Sequence, residues 1–97
     1  MTPTEPRALR STATFRKDFR RARKRGYDLT LLRAVLSMLV DRDPLPASMR
    51  DHGLVGEYAD CRECHIQPDW LLIYQIADDD VTLIAMRTGT HADLFAS

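Results

Sequence analysis

No run of apolar residues in this 97-residue chain approaches the roughly 20 that a membrane-spanning helix requires. The first ten residues, MTPTEPRALR, contain no apolar stretch of the kind a secretory signal carries. The expected setting is therefore the cytoplasm, with no membrane partner. Cysteine is scarce: Cys61 and Cys64 alone, expected in that setting to be reduced thiols and not a structural disulfide. Internal repeats and low-complexity stretches are absent, and apolar and charged contents of 44% and 29% exclude a disordered, collagen-like or fibrous class. Two independent cores in this length would each bury too little surface, so one domain over residues 1–97 is expected. Also lacking is any net charge, since 14 Lys/Arg are balanced by 14 Asp/Glu.

That balance conceals a polarised molecule. Residues 1–33 hold ten Lys/Arg against three Asp/Glu, a net of +7, and residues 34–97 hold four against eleven, a net of −7. The basic half has the footprint of a nucleic-acid binder, with a solvated polar face as the plainer alternative. From Thr14 to Arg25, Phe15, Phe19 and Ala22 recur at helical spacing among Arg16, Lys17, Arg20, Arg21, Arg23, Lys24 and Arg25, which predicts a basic amphipathic helix. Gly26 suits the left-handed position after it, and Asp28 caps a second helix whose Leu29, Leu32, Leu36 and Leu39 face a core. The pair forms a hairpin with the second helix mostly buried. Asp43-Pro44-Leu45-Pro46 ends it, and Gly53 and Gly56 punctuate a loop containing Asp51-His52.

Three strands are predicted next, at Glu57–Ile66, Trp70–Ala77 and Val81–Arg87, with turns at Pro68-Asp69 and Asp78-Asp79-Asp80. Leu71-Leu72-Ile73-Tyr74 is apolar on consecutive residues, as in a central strand covered on both faces. Thr90 and Asp93 form an acidic capping box for a short terminal helix that presents His91 and Phe95 on one face, near Arg87 at the end of the last strand.

Cys61-Arg62-Glu63-Cys64-His65 matches the C-x-x-C-H string of haem attachment, but that chemistry requires export. A zinc site from Cys61, Cys64, His65 and His52 is opposed by strand geometry, which sends residues 61 and 64 to opposite faces. A thioredoxin-like dithiol needs a helix beginning at the motif, where strand continues instead. No metal or cofactor is expected. His52, His65 and His91 lie in the second half with Asp69 and Arg87. Cleaving RNA without a metal needs a base for the 2′-OH, an acid for the departing 5′-oxygen and a cation facing the phosphorane, and these residue types supply all three. Three exposed turn histidines are the bland alternative, and spacing alone does not decide.

Asp51-His52, Cys64-His65-Ile66, Pro68-Asp69-Trp70-Leu71-Leu72-Ile73-Tyr74 and Arg87-Thr88-Gly89-Thr90-His91-Ala92-Asp93-Leu94-Phe95 together resemble the YafQ branch of the RelE-type toxins, over nearly the whole chain. The resemblance implies an α+β fold, with an N-terminal helical hairpin packed on a small, mostly antiparallel sheet and a short C-terminal helix. It implies a type II toxin whose partners are an antitoxin encoded beside it, the ribosome and mRNA held in the A site. The functional group it implies is His52, His65, Asp69, Trp70, Arg87, His91 and Phe95. His91 takes the principal proton-transfer role, with His52, His65 and Asp69 sharing the remaining transfer and orientation. Arg87 binds the scissile phosphate, and Phe95 and Trp70 stack on a splayed base, core packing being the alternative for Trp70. Arg16, Lys17, Arg20, Arg21, Lys24 and Arg25 are expected to grip ribosomal RNA. The rival function is a non-catalytic inhibitor like the ParE members of the superfamily, which bind a protein target and lack this histidine set.

Overall fold

The computed structural model describes residues 5–95; the ends of the expected domain, residues 1–4 and 96–97, lie outside them. The chain runs β1 (Ala8–Ser11), α1 (Ala13–Lys24), α2 (Leu29–Val40), β2 (His52–Gly53), β3 (Arg62–Gln67), β4 (Trp70–Ala77), β5 (Thr82–Gly89) and α3 (His91–Phe95). The five strands form one sheet in the order β1-β5-β4-β3-β2, with every pairing antiparallel except β1 with β5. No helix among the described residues is long and apolar enough to cross a membrane.

The hairpin forms where its capping residues place it. Thr12 caps α1, its Oγ1 accepting from the Phe15 amide at 2.9 Å and donating to the Met86 carbonyl at 2.8 Å. Gly26, at φ +81°, turns the chain, and the Asp28 carboxylate accepts from the Thr30 amide to start α2. On α1 the buried face is Phe15, Asp18 and Ala22, with Phe19 half-buried. On α2 it is Leu32, Val35 and Leu39, an i, i+3, i+7 set turned slightly from the expected one, so that Leu29 and Leu36 are only partly covered. The second helix is amphipathic, with Leu31, Arg33 and Ala34 exposed.

β4 is covered on both faces, as its unbroken apolar run requires. Trp70, Leu72 and Tyr74 join Cys64, Leu83 and Ala85 under the two helices. Leu71 and Ile73 point the other way, where Cys61, Leu94 and the partly buried Leu54, Tyr58 and Met86 cover them. That second layer explains the main departure from expectation: residues 57–61 are not strand. Gly56, at φ +72°, opens a 3-10 turn over Gly56–Tyr58 that folds Tyr58 onto the sheet, and β3 begins at Arg62. β5 starts one residue later and runs two residues further than predicted.

β1 and β2 were not anticipated. β1 is four residues long and almost wholly exposed, with no apolar alternation to mark it, and β2 is two residues. β1 matches β5 only as far as Ser11 opposite Ala85. Beyond that point the edge of β5 is finished by side chains: Thr12 takes the Met86 carbonyl, and the Asp18 carboxylate takes the Thr88 amide at 3.2 Å. Unpaired backbone groups at a sheet edge are costly when buried, which accounts for these two contacts.

Thr12→Ala removes both the helix cap and the edge contact. A loss of about 1 kcal/mol, or roughly 4–8 °C in melting temperature, is expected for a domain of this size. Thermal unfolding followed by circular dichroism measures it, and an unchanged midpoint would show that neither bond contributes.

Candidate active site

Strand parity builds the first part of the site. Glu63 and His65 lie two residues apart on β3, on the face shared with Leu71 and Ile73 and opposite the helical hairpin. β2 pairs His52 directly with Glu63. The His52 Nε2 consequently stands 2.8 Å from Glu63 Oε2, while its Nδ1 stands 3.0 Å from the Gly53 carbonyl. Both ring nitrogens thus face oxygen acceptors. Glu63 is 5% exposed, and its Oε1 has no hydrogen-bond partner. His52 is itself held by its neighbour: the Asp51 carboxylate accepts from the Tyr74 hydroxyl at 2.6 Å and from Arg62. Burial and then Asp51 push the Tyr74 hydroxyl well above its ordinary range, so it stays a donor.

The second part comes from the C-terminus. The expected capping box forms reciprocally, the Asp93 amide donating to Thr90 Oγ1 at 3.0 Å and the Thr90 amide to Asp93 Oδ2 at 2.9 Å. This starts α3 at His91, whose ring centroid lies 5.6 Å from that of His65. Asp69, in the β3–β4 turn, accepts from the His91 amide at 3.0 Å and from its Nδ1 at 2.7 Å. The backbone N–H and then the ring of His91 hold the Asp69 carboxyl below its ordinary range. Nδ1 facing Asp69 leaves Nε2 as the ring nitrogen available to another partner.

The third part is cationic and aromatic. Arg87 is half-buried, its Nε donating to Asp18 Oδ2 at 2.7 Å and its Nη1 lying 3.4 Å from the Tyr58 hydroxyl. The Tyr58 ring stacks edge-on against Phe95, which is 44% exposed. A cleft of about 310 Å³ opens beside His65, lined also by Met49, Arg50 and Pro68.

The fold thus brings all three histidines, Asp69, Arg87 and Phe95 to the sheet face away from the hairpin. Trp70 is not among them. It is 2% exposed, donates its indole N–H to Thr88 Oγ1 at 2.9 Å and packs edge-on against Tyr27, so it is a core residue and its ring is not available to a base. The basic helix is divided as well. Lys17, Arg20, Arg23 and Lys24 are exposed, and so are Arg16 and Arg25, but Arg16 bonds the Ser11 carbonyl, Arg21 bridges Asp18 and Asp93, and Arg25 bonds Asp93 at 2.7 Å. Arg25 first, with help from Thr90, holds the Asp93 carboxyl far below its ordinary range.

Glu63 and Asp18 stand outside the set expected from sequence. Glu63 was legible as the residue two before His65 on one strand face. Asp18 was legible as a carboxylate three residues after Phe15 and four before Ala22, on the buried side of a helix otherwise rich in cations.

As a ligand set, His52, Glu63 and His65 offer atoms all within 4.8 Å of one another, a two-histidine, one-carboxylate arrangement. The cysteines offer none: Cys61 belongs to the layer under α3 and Cys64 to the core under the hairpin.

The family model described as bacterial toxin of type II toxin-antitoxin system, YafQ, matches residues 7–96. The chain belongs to the YafQ family of toxins. The mRNA interferase toxin YafQ of Escherichia coli K12 is 39% identical over 90 residues, covering 92% of this chain and 96% of that one. The YafQ structure in the E. coli DinJ-YafQ toxin-antitoxin complex superposes with a TM-score of 0.83 at 38% identity, over 93% of this chain and 98% of that one. A metal-bound toxin from Helicobacter pylori superposes at 0.84 with 41% identity, over 91% and 98%. Three helices on a five-stranded mixed sheet are thus the YafQ form of the RelE-like α+β fold.

Burial pushes the Cys64 thiol up to about 12 and raises that of Cys61. Since the thiolate is the reactive species, Cys64 of this YafQ-family toxin is expected to resist iodoacetamide at neutral pH in the native state and react fully once denatured. Mass spectrometry of the alkylated protein checks this; rapid native labelling of Cys64 would reopen a thiol-based function.

Proposed function

We propose that this toxin is an mRNA interferase that cuts mRNA held in the ribosomal A site by metal-independent acid–base catalysis, and that it is held silent by a cognate antitoxin. Type II toxin membership and 39% identity to an mRNA interferase support the endoribonuclease activity, and the DinJ-bound neighbour supports an antitoxin partner. The observation that carries the mechanism is the convergence of His52, His65 and His91 with Asp69 and Arg87 on one sheet face. A base removes the 2′-OH proton, the 2′-oxygen bonds phosphorus, the bond to the 5′-oxygen breaks, and an acid returns a proton to that oxygen. Asp69 fixes the ring of His91, leaving its Nε2 for the principal transfer. His52, paired with Glu63, and His65 share the remaining transfer and orientation. Arg87 faces the charge that develops on the phosphorane, and exposed Phe95, backed by Tyr58, offers its ring to an unstacked base.

A non-catalytic, ParE-like role leaves this histidine cluster without a purpose. A transition-metal ion on His52, Glu63 and His65, the kind of ligand set that suits such ions, competes for nitrogens the proton transfers need. The metal-bound neighbour makes that competition relevant here.

His91→Ala is expected to lower cleavage on translating ribosomes by on the order of 10²–10⁴, the usual worth of a positioned proton-transfer group, and to abolish growth arrest. Its fold should persist, because the side chain is 54% exposed. Cleavage should keep its rate when the toxin is first stripped of transition metals and then assayed on ribosomes in magnesium buffer. Full toxicity of a folded His91→Ala protein, or cleavage lost on stripping the toxin and restored by a transition-metal ion, would sink the mechanism.

Ribosome contact is proposed for the exposed cations of α1, with Arg16, Arg21 and Arg25 contributing less because they are engaged within the fold. Changing Lys17, Arg20 and Lys24 to Gln should flatten the log-log salt dependence of ribosome binding by roughly 0.7–0.9 for each phosphate no longer neutralised, with cleavage-site choice unchanged. A slope equal to that of the unaltered protein would place the ribosome on another surface.

A further inference from the structure

Asp18 is a buried carboxylate on a helix whose other charged residues are all basic, and the cleavage chemistry described above makes no use of it. Its surroundings are unusual in being saturated with donors, most of them from one strand end. Oδ2 accepts from Arg87 Nε at 2.7 Å and from the Thr88 amide at 3.2 Å, and Oδ1 accepts from Arg87 Nη2 at 3.3 Å and from Arg21 Nη2 at 3.1 Å. Asp18 therefore occupies the side edge of the Arg87 guanidinium, the edge formed by Nε and Nη2. The end edge, Nη1 with the second hydrogen of Nη2, is not used by Asp18; at that end Nη1 meets the Tyr58 hydroxyl at 3.4 Å, a long contact that a phosphate would displace. A guanidinium binds an oxyanion through two parallel N–H bonds along one edge, so fixing one edge determines the direction in which the other can receive a phosphate.

From this geometry we infer that Asp18 is a positioning residue for cleavage: it aims the end edge of Arg87 at the scissile phosphate and ties that aim to the helix carrying His91. The tie is physical. Thr88, whose amide Asp18 holds, is followed by Gly89, Thr90 and His91, and Arg21 lies between Asp18 and Asp93, the capping carboxylate of α3. Gly89 is held so close to Asp93 and Arg21 that an added Cβ would lie 2.9 Å from the Asp93 side chain. Arg87 and the start of the helix that carries His91 are thus set by one carboxylate network, with Asp69 fixing the His91 ring, which suits two groups that act on neighbouring oxygens of one phosphate.

This inference rests on Arg87 serving the phosphate, and a double-substitution cycle separates the two ideas. Single-turnover cleavage of ribosome-bound mRNA is measured for Asp18→Asn, Asp18→Glu, Arg87→Ala and Asp18→Asn with Arg87→Ala, alongside thermal melts and ribosome affinity. Arg87→Ala is expected to cost on the order of 10²-fold in rate, as when one oriented transition-state donor is removed. Asp18→Asn should cost at least about tenfold in rate with ribosome affinity unchanged, and should add nothing further once Arg87 is alanine. Asp18→Glu, which keeps the charge but displaces it by one methylene, should fall between Asp18→Asn and the unaltered protein in rate, with a melting temperature near that of the latter. Losses that multiply in the double variant, or a folded Asp18→Asn protein of full activity beside a crippled Arg87→Ala, would overturn the positioning role while leaving that of Arg87 intact. Full activity of Arg87→Ala would overturn both. Failure of both Asp18 variants to fold would make Asp18 a folding residue only and overturn the inference.

Discussion

β4 has no face that tolerates water, and the rest of the molecule is arranged around that constraint. Trp70, Leu72 and Tyr74 point to one side, Leu71 and Ile73 to the other, and all five are at most 2% exposed. The helical hairpin covers the first side. Nothing of comparable size is available for the second, so the chain uses Leu54, Tyr58 and Cys61 from the loop before β3 and Leu94 from α3. Covering an apolar strand therefore folds the two segments that carry Asp51-His52 and His91-Phe95 over the same sheet face on which β3 displays Glu63 and His65. The site lies at the seam between these two covers. Its histidines meet because the apolar residues near them in sequence have to be buried together.

Much of this was legible in the sequence where one residue's role follows from its near neighbours. The helical spacing of Phe15 and Ala22, Gly26 and Asp28 at the turn, the uninterrupted apolar run of β4 and the Thr90–Asp93 box are all local patterns, and each appears in the structure. What escaped was set by distant partners. β1 is strand only because β5 supplies a parallel edge, and β2 only because its two residues meet Arg62 and Glu63. Residues 57–61 read as strand from their composition, but Gly56 and the need to cover Ile73 turn Tyr58 inward. Base stacking was expected of Trp70 from the family resemblance, with core packing as the alternative, and nothing local to an aromatic beside a turn decides between them. Its indole N–H finding Thr88 Oγ1, 18 residues away, decided its place.

Charge is sorted by the same logic. The +7 excess of the first 33 residues read as the footprint of a nucleic-acid binder or as a solvated polar face. Part of it is neutralised within the fold: Arg7 joins Arg42 on Asp80, Arg21 joins Arg25 on Asp93, and Asp18 takes both Arg21 and Arg87. The acidic second half supplies most of these partners, so a chain with no net charge keeps basic residues exposed on α1 while its carboxylates work as anchors. Asp80 illustrates this, its carboxyl held below the ordinary range first by Arg7 and then by Arg42 although it sits in an exposed turn of three left-handed residues.

One group fits none of these structural purposes. Glu63 is buried with one oxygen unpartnered, an arrangement that costs roughly 1–3 kcal/mol, when an apolar side chain in that place would have extended the layer formed by Cys61, Leu71 and Ile73. Its other oxygen faces a histidine nitrogen whose ring is already bonded on the far side to a backbone carbonyl. Stability alone does not select a half-satisfied carboxylate there. The role proposed above for the His52–Glu63 pair gives a reason for it, since locally costly arrangements are kept chiefly at functional sites. The His91 side chain is as exposed as that of His52, 54% against 51%, but the side chain of its partner Asp69 is 65% exposed where that of Glu63 is 6%. The two pairs thus differ in their carboxylates and not in their imidazoles, and in the mechanism proposed above that difference in environment is what gives two like histidines unlike roles.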